Sequence, residues 1–251
     1  REVRSLAHKA SSINKEALEE LREKNPFISN IELVYRLVRD DIVEHRLKPG
    51  QKLNQELIAE TLDMSRSPVR EALAQLEEEG FLAKGAQGYT VYIMKIGDYM
   101  ALLDLRTAYE ELATRLCCSR IRFSEMKDIE NNLLETKKYL DLGMATAWDD
   151  DFQITNQKKA ENLIYELGKK DQEFHSLIIK SSHNRYLIDS YERLKPMIHF
   201  FRHSALDVNA CLNMLDRHKM IYAAITNRDE ELAVQRMRTH LALTVSRAMR
   251  Y

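Results

Sequence analysis

The sequence predicts a mainly α protein, with an N-terminal winged helix-turn-helix domain followed by a C-terminal all-α helical bundle. Three observations carry this. Gly (7) and Pro (4) are scarce in 251 residues, so the many tight turns of a sandwich or barrel are not available. Leu, Ala, Met, Glu, Lys and Arg are plentiful, and these residues favour helices. Residues 28–94 read in the order helix, helix, tight turn, helix, hairpin, while no convincing strand pattern follows Gly97.

The elements follow in order. Residues 1–27 form a polar N-terminal extension, with helix formers before Pro26 that suit an extra helix or a frayed arm. Ile31, Val34, Tyr35, Leu37, Val38, Ile42 and Val43 share one helical face, and Pro49-Gly50 stops that helix. Asn54 can cap a second helix with Leu57, Ile58 and Leu62 inward. After the turn at Asp63–Met64, Ser65 or Ser67 caps a third helix running to Glu79, with Pro68 in its first turn. Gly80 ends it in the left-handed conformation. Residues 81–83 and 89–93 form a hairpin, completing a winged helix-turn-helix domain at 28–95.

Residues 96–251 form the second domain, with helices over 98–120, 124–142, 156–182, 184–205, 209–227 and 229–250. A loop is expected from Gly143 to Gln157, and a short joint between the domains at Ile93–Gly97. Lys and Arg (38) balance Asp and Glu (39), so net charge names no partner. No apolar run reaches membrane-spanning length. Three cysteines, two of them adjacent, make a poor disulfide framework, so the chain reads as reduced and cytoplasmic. It opens on Arg1, and its natural N-terminus is expected upstream.

The third helix separates two chemistries. Val69, Ala72, Leu73 and Leu76 face inward, and Arg66, Ser67 and Arg70 lie opposite near the helix start. The leading end of such a helix enters the major groove. There an arginine fork matches guanine O6 and N7 or grips phosphate, and the helix N-terminus adds positive potential. Glu77, Glu78 and Glu79 fall at the far end. A solvated arginine pair is the bland reading, but the surrounding helix order outweighs it. Residues 26–94 hold eight Lys/Arg against eleven Asp/Glu, a net of 8 − 11 = −3, so the positive potential must be local.

The stretch KPGQKLNQELIAETLDMSRSPVREALAQLEEEGFLAKGAQGYTVYIM resembles the DNA-binding domain of GntR-family bacterial transcription regulators. The match runs through Pro49-Gly50, Leu57-Ile58-Ala59, Ser65 to Leu73, Glu79-Gly80 and Gly88. It implies DNA contacts at Ser65, Arg66, Ser67 and Arg70, a polar contact at Gln55, and a wing glycine at Gly88. Relatives often carry an arginine near Gln87, whereas Lys84 is the basic residue of this wing.

In the helical domain, Asp171 and His175 of DQEFH lie four apart on one helix face. His218 and His240 sit beside apolar residues on two later helices. Three imidazoles and a carboxylate suit a borderline divalent ion, and suit calcium or magnesium poorly. A lone histidine on an apolar face is more often a core residue. His199 and His203 are also four apart and form a rival pair. The stretches LRTAYEELATRL, DQEFHSLIIKSSHNRYL and DRHKMIYAAITNRDEELAVQRMRTHL resemble the FCD effector domain of the FadR subfamily. The resemblance selects Asp171, His175, His218 and His240 as ligands, of zinc first, with nickel, manganese or iron as alternatives. It also implies a pocket above the ion for a small carboxylate. Arg106 is the first candidate to hold that anion and Arg202 the second, with Tyr109, Phe174 and Met197 as walls. The segment 143–170 is longer than in most relatives and suits an extra helix or a lid.

These readings imply a homodimer that binds double-stranded operator DNA and responds to a small carboxylate metabolite, and not an enzyme. The alternatives are a purely structural metal, or a metal-dependent hydrolase, which would need a free general base that no HExxH-like motif supplies.

Overall fold

The computed structural model describes residues 13–248 except 87, 150, 152 and 203–207. The chain separates into two compact units, Arg1–Lys95 and Ile96–Tyr251.

In the first unit, α1 (Lys15–Lys24) starts at Asn14, whose side chain accepts from the Ala17 amide. It is a helix rather than a frayed arm, because it buries Leu18 and ties Lys15 Nζ to Asp63 at 2.8 Å. In α2 (Asn30–Val43), Ser29 caps the first turn, and Leu33, Val34, Leu37, Val38, Ile42 and Val43 enter the core. Next come β1 (Lys52–Leu53), α3 (Gln55–Thr61), α4 (Arg66–Glu78), β2 (Leu82–Gly85) and β3 (Gly88–Val91). Asn54 caps α3 by accepting from Glu56 and Leu57 amides. Leu57 is not inward as expected but 59% exposed, since so short a helix buries a single narrow stripe, Ile58 and Ala59. Gly80 takes φ +83° directly after α4, the helix stop its sequence position requires.

The sheet is three-stranded and antiparallel, in the order β1-β3-β2, with Leu53 opposite Tyr89 and Leu82 opposite Val91. The hairpin is legible in the sequence and β1 is not, because two residues show no period-2 pattern. What builds β1 is the turn at Gly50 (φ +81°), whose amide donates to the Val91 carbonyl at 2.9 Å.

The second unit contains α5 (Ile96–Arg120), α6 (Phe123–Thr146), α7 (Gln157–Ser181), α8 (Arg185–Arg202), α9 (Val208–Thr226) and α10 (Glu230–Ala248). Gly97 lies inside α5, not in an extended joint. Among its described residues, the segment 143–170 holds no helix beyond α6 and α7. It comprises the last turn of α6, a loop pinned by the bridge between Trp148 and Ile154, and the first half of α7. Trp148 is 4% exposed and packs where a side chain on Gly143 would stand, its ring within 2.2 Å of the Cβ position. The core gathers Ile129, Leu167, Phe174, Ile178, Ile179, Ile221 and Ile225 from α6, α7 and α9, all fully buried. Each such side chain contributes about 1.5–3 kcal/mol, which makes these three helices a stiff frame.

Candidate metal centre and nucleic-acid interface

On α4 the two chemistries separate as the sequence implies. Val69, Ala72, Leu73 and Leu76 are wholly buried, and Arg66, Ser67 and Arg70 are exposed. Ser65 occupies the N-cap position with extended backbone, yet its side chain makes no capping bond, and no acid sits in the first turn. Gln55 is half-buried at the start of α3. Gly88 has φ +107°, which strains any other residue, so its role is fixed by backbone geometry. Lys84 is exposed with its Nζ 5.8 Å from the Tyr89 ring centre, and Gln87 lies outside the described residues.

Two acids approach this face, Glu56 from another helix and Glu71 from one turn along the same one. Arg66 Nη1 lies 2.8 Å from Glu56 Oε1 of α3, and Ser67 Oγ donates to Glu71 Oε1 at 3.0 Å. The Arg66 and Glu56 side chains are 71% and 60% exposed, so their pair is worth at most about 1 kcal/mol and yields readily to a phosphate or guanine.

In the helical unit, α7 brings Asp171 and His175 to one face because they are a turn apart, α9 supplies His218 and α10 supplies His240. Their ligand atoms all lie within 4.8 Å of one another, and the four residues are 0–4% exposed. His240 Nε2 is 3.2 Å from His175 Nε2 and 3.3 Å from His218 Nε2. Asp171 closes the group, with Oδ1 3.5 Å from His218 Nε2 and Oδ2 3.7 Å from His175 Nε2. A neutral imidazole has a single ring proton, so three converging nitrogens cannot all be satisfied by one another. Nitrogens bound to tetrahedral zinc at about 2.0–2.1 Å sit roughly 3.3 Å apart. The donor set therefore fits a divalent transition metal. Burial, then His218 and His175, push the His240 pKa well below the ordinary imidazole range, keeping that ring in its ligating form.

Glu110, which sequence reasoning missed, stands directly behind this cluster. Its Oε2 lies 2.5 Å from His175 Nδ1, and its Oε1 accepts from Arg106 Nε at 2.6 Å and from the Tyr191 hydroxyl at 3.0 Å. Burial alone would raise the Glu110 carboxyl, but the Arg106 charge and His175 outweigh it and hold the pKa at about 2. Arg106 is 3% exposed, and its Nη2 is buried without a hydrogen-bond partner among the described residues. The signal available in the sequence was Arg106 and Glu110 four apart, on the helix face that also carries Leu102, Leu103 and Ala113. Phe174 stacks on His218, whereas the Arg202 side chain and His203 lie outside the described residues. His199 is half-buried on α8 and does not belong to the four-residue cluster.

The element order defines a protein with a winged helix-turn-helix unit and an all-helical unit, the class to which many transcription regulators belong. The sequence pattern of the FCD domain matches residues 101–243, and that of the bacterial regulatory proteins of the gntR family matches residues 30–90. The chain belongs to the GntR family of transcriptional regulators and carries an FCD domain. Similar proteins include the Nta operon transcriptional regulator of Aminobacter aminovorans, 27% identical over 75% of this chain and 80% of that one. The HTH-type transcriptional repressor RspR of Escherichia coli K12 is 28% identical over 83% of this chain and 84% of its own. Among solved structures, E. coli McbR/YncC superposes with a TM-score of 0.68 at 18% identity, covering 89% of this chain and 99% of that one, which is a likeness of fold. These relatives are regulators and not enzymes. Among the described residues, no helix is long and apolar enough to cross a membrane.

Proposed function

We propose that this chain is a cytoplasmic, metabolite-responsive regulator of the FadR subfamily that binds operator DNA as a homodimer. Each copy reads one half-site with Arg66 and Arg70, aided by Ser65, Ser67 and Gln55, while the turn at Gly88 shapes the wing. Asp171, His175, His218 and His240 hold one divalent ion, zinc first, with nickel, manganese or iron as alternatives. When bound, the ion supplies a Lewis-acidic point that carboxylate oxygens can join. Arg106 receives the other end of a small carboxylate, with Arg202 as the second candidate.

The observation that carries this reading is the convergence of four buried ligand atoms within 4.8 Å, beside a buried guanidinium whose Nη2 has no hydrogen-bond partner among the described residues. An uncompensated buried donor of that kind is costly, and an anion relieves the cost. All five residues are under 5% exposed, so an acid must bind an arrangement in which the helices have parted. A ligand that prefers the parted arrangement shifts the population toward it, which is what allosteric control requires. Burial also favours a second reading, a structural ion that staples α7, α9 and α10 without an effector. A hydrolase is disfavoured, since Glu110 is tied to Arg106, Tyr191 and His175 and is not a free base.

The experiment is fluorescence anisotropy of DNA from the region upstream of the protein's own gene, with zinc-loaded protein and a panel of small mono-, di- and tricarboxylates. A change of about fivefold or more in DNA affinity with one acid class is expected. DNA binding that no acid alters, together with a melting shift from zinc alone, would leave the structural reading.

A further inference from the structure

Arg106 and Glu110 lie one turn apart on α5, and the two oxygens of Glu110 face different partners. Oε1 takes the Arg106 Nε–H at 2.6 Å and the Tyr191 hydroxyl at 3.0 Å, while Oε2 is left to meet His175 Nδ1 at 2.5 Å. Glu110 and His175 are each 1% exposed, so water does not compete for the contact. A carboxylate paired with a guanidinium can only accept hydrogen bonds. Neither Oε2 nor Nδ1 has another hydrogen-bond partner among the described residues, and at 2.5 Å a small turn of the ring aims an Nδ1–H onto Oε2. That pairing puts the proton of His175 on Nδ1 and leaves the lone pair on Nε2. That is the atom lying 3.2 Å from His240 Nε2 and 3.7 Å from Asp171 Oδ2.

We propose that Glu110 is a positioning residue of the metal site, fixing the tautomer and ring orientation of His175 so that Nε2 is presented to the ion. The inference rests on the metal reading above and requires nothing of the effector. The carboxylate is itself fixed from two directions, by Arg106 of its own helix and by Tyr191 of α8. A ligand tilted by a loose partner binds metal less tightly, and loss of such a partner typically costs 10- to 100-fold in affinity. The ring orientation is thus set by α5 and α8, neither of which supplies a metal ligand.

The test has two arms. In metal-free wild-type protein labelled with 15N-histidine, long-range proton–nitrogen correlation spectra should show His175 protonated at Nδ1 and bare at Nε2. A proton on Nε2 would overturn the proposal, and this arm needs no variant to fold. In the second arm, zinc affinity is measured by competition with a chromophoric chelator. Glu110→Ala should lose about 10- to 100-fold. Glu110→Gln, whose amide oxygen can still accept from Nδ1, should recover most of that loss. A folded Glu110→Ala protein that binds zinc as tightly as wild type would sink this inference alone. Wild-type protein that takes up no zinc would sink the functional reading with it.

Discussion

The Phe174 ring lies flat on the His218 imidazole, with centroids 3.8 Å apart and planes 8° from parallel. His218 is therefore clamped on one face by the same helix, α7, that carries Asp171 and His175. Replacing Phe174 by Ala removes both a fully buried ring and that clamp. The fold should lose about 3–5 kcal/mol. The further rise in melting temperature on adding zinc should also be smaller than in wild type. Scanning calorimetry with and without zinc separates the two effects, and an unchanged zinc increment would show that the stack serves packing only.

Arg66 and Arg70 should contribute unequally to readout and to grip. Alanine at either position is expected to weaken operator binding by about 1–3 kcal/mol where the fork reads a base, and to relax preference at one base pair of each half-site. Glu56→Gln should act in the opposite direction, strengthening binding a few-fold by freeing Arg66 from its exposed pair. Electrophoretic mobility titrations over operator variants measure both. Weaker binding by Glu56→Gln would mean that the pair preorganises Arg66 instead.

Residues 26–94 are acidic in sum, so few phosphates can be neutralised. The slope of log K against log[salt] should be shallow compared with that of a strongly basic DNA binder. Anisotropy between about 50 and 200 mM salt checks it.

Gly143 and Gly97 should respond oppositely to alanine. A Cβ on Gly143 would stand 2.2 Å from the Trp148 ring, so the tryptophan must leave its buried seat. Gly143→Ala should destabilise by about 1–3 kcal/mol or more. A Cβ on Gly97 meets nothing within 4 Å, and alanine there should stabilise α5 by about 0.4–1 kcal/mol. Urea unfolding of the two variants decides the matter.

Metal-free protein should lose stability in a defined acid window. The folded pKa of His240 is depressed, so the unfolded chain binds more protons just below the ordinary imidazole value of about 6.5. Its contribution is complete above that value and falls as pH drops toward the lower folded value. Glu110 acts in a separate window, from the ordinary carboxylate value down to about 2. His240→Gln should flatten the melting temperature between about pH 7.5 and 5.5 and leave the more acidic fall intact.

Several features of the fold were legible because they rest on local rules. Gly80 stops α4, Asn54 caps α3, and the DxxxH spacing puts Asp171 and His175 on one face. The apolar face of α4 was legible from its period, and with it the exposure of Arg66 and Arg70. What was not legible depends on partners distant in sequence. Glu110 and His175 meet across 65 positions, and no periodicity joins them. Glu56 reaches Arg66 from another helix, and β1 exists only because β3 offers it an edge. The loop expected over Gly143–Gln157 and the helix expected from residue 156 agree with the connection between Thr146 and Gln157, apart from one more turn of α6; the packing of Trp148 against Gly143 rests on shape and carries no sequence pattern.

The most direct measurement is equilibrium dialysis of metal-stripped protein against zinc, for wild type, His218→Ala and His240→Ala, with folding checked by circular dichroism. The account predicts one tightly held zinc per chain in wild type and a loss of at least 100-fold in affinity in each variant. Wild-type protein with no stoichiometric zinc, or folded variants that hold it unchanged, would contradict it.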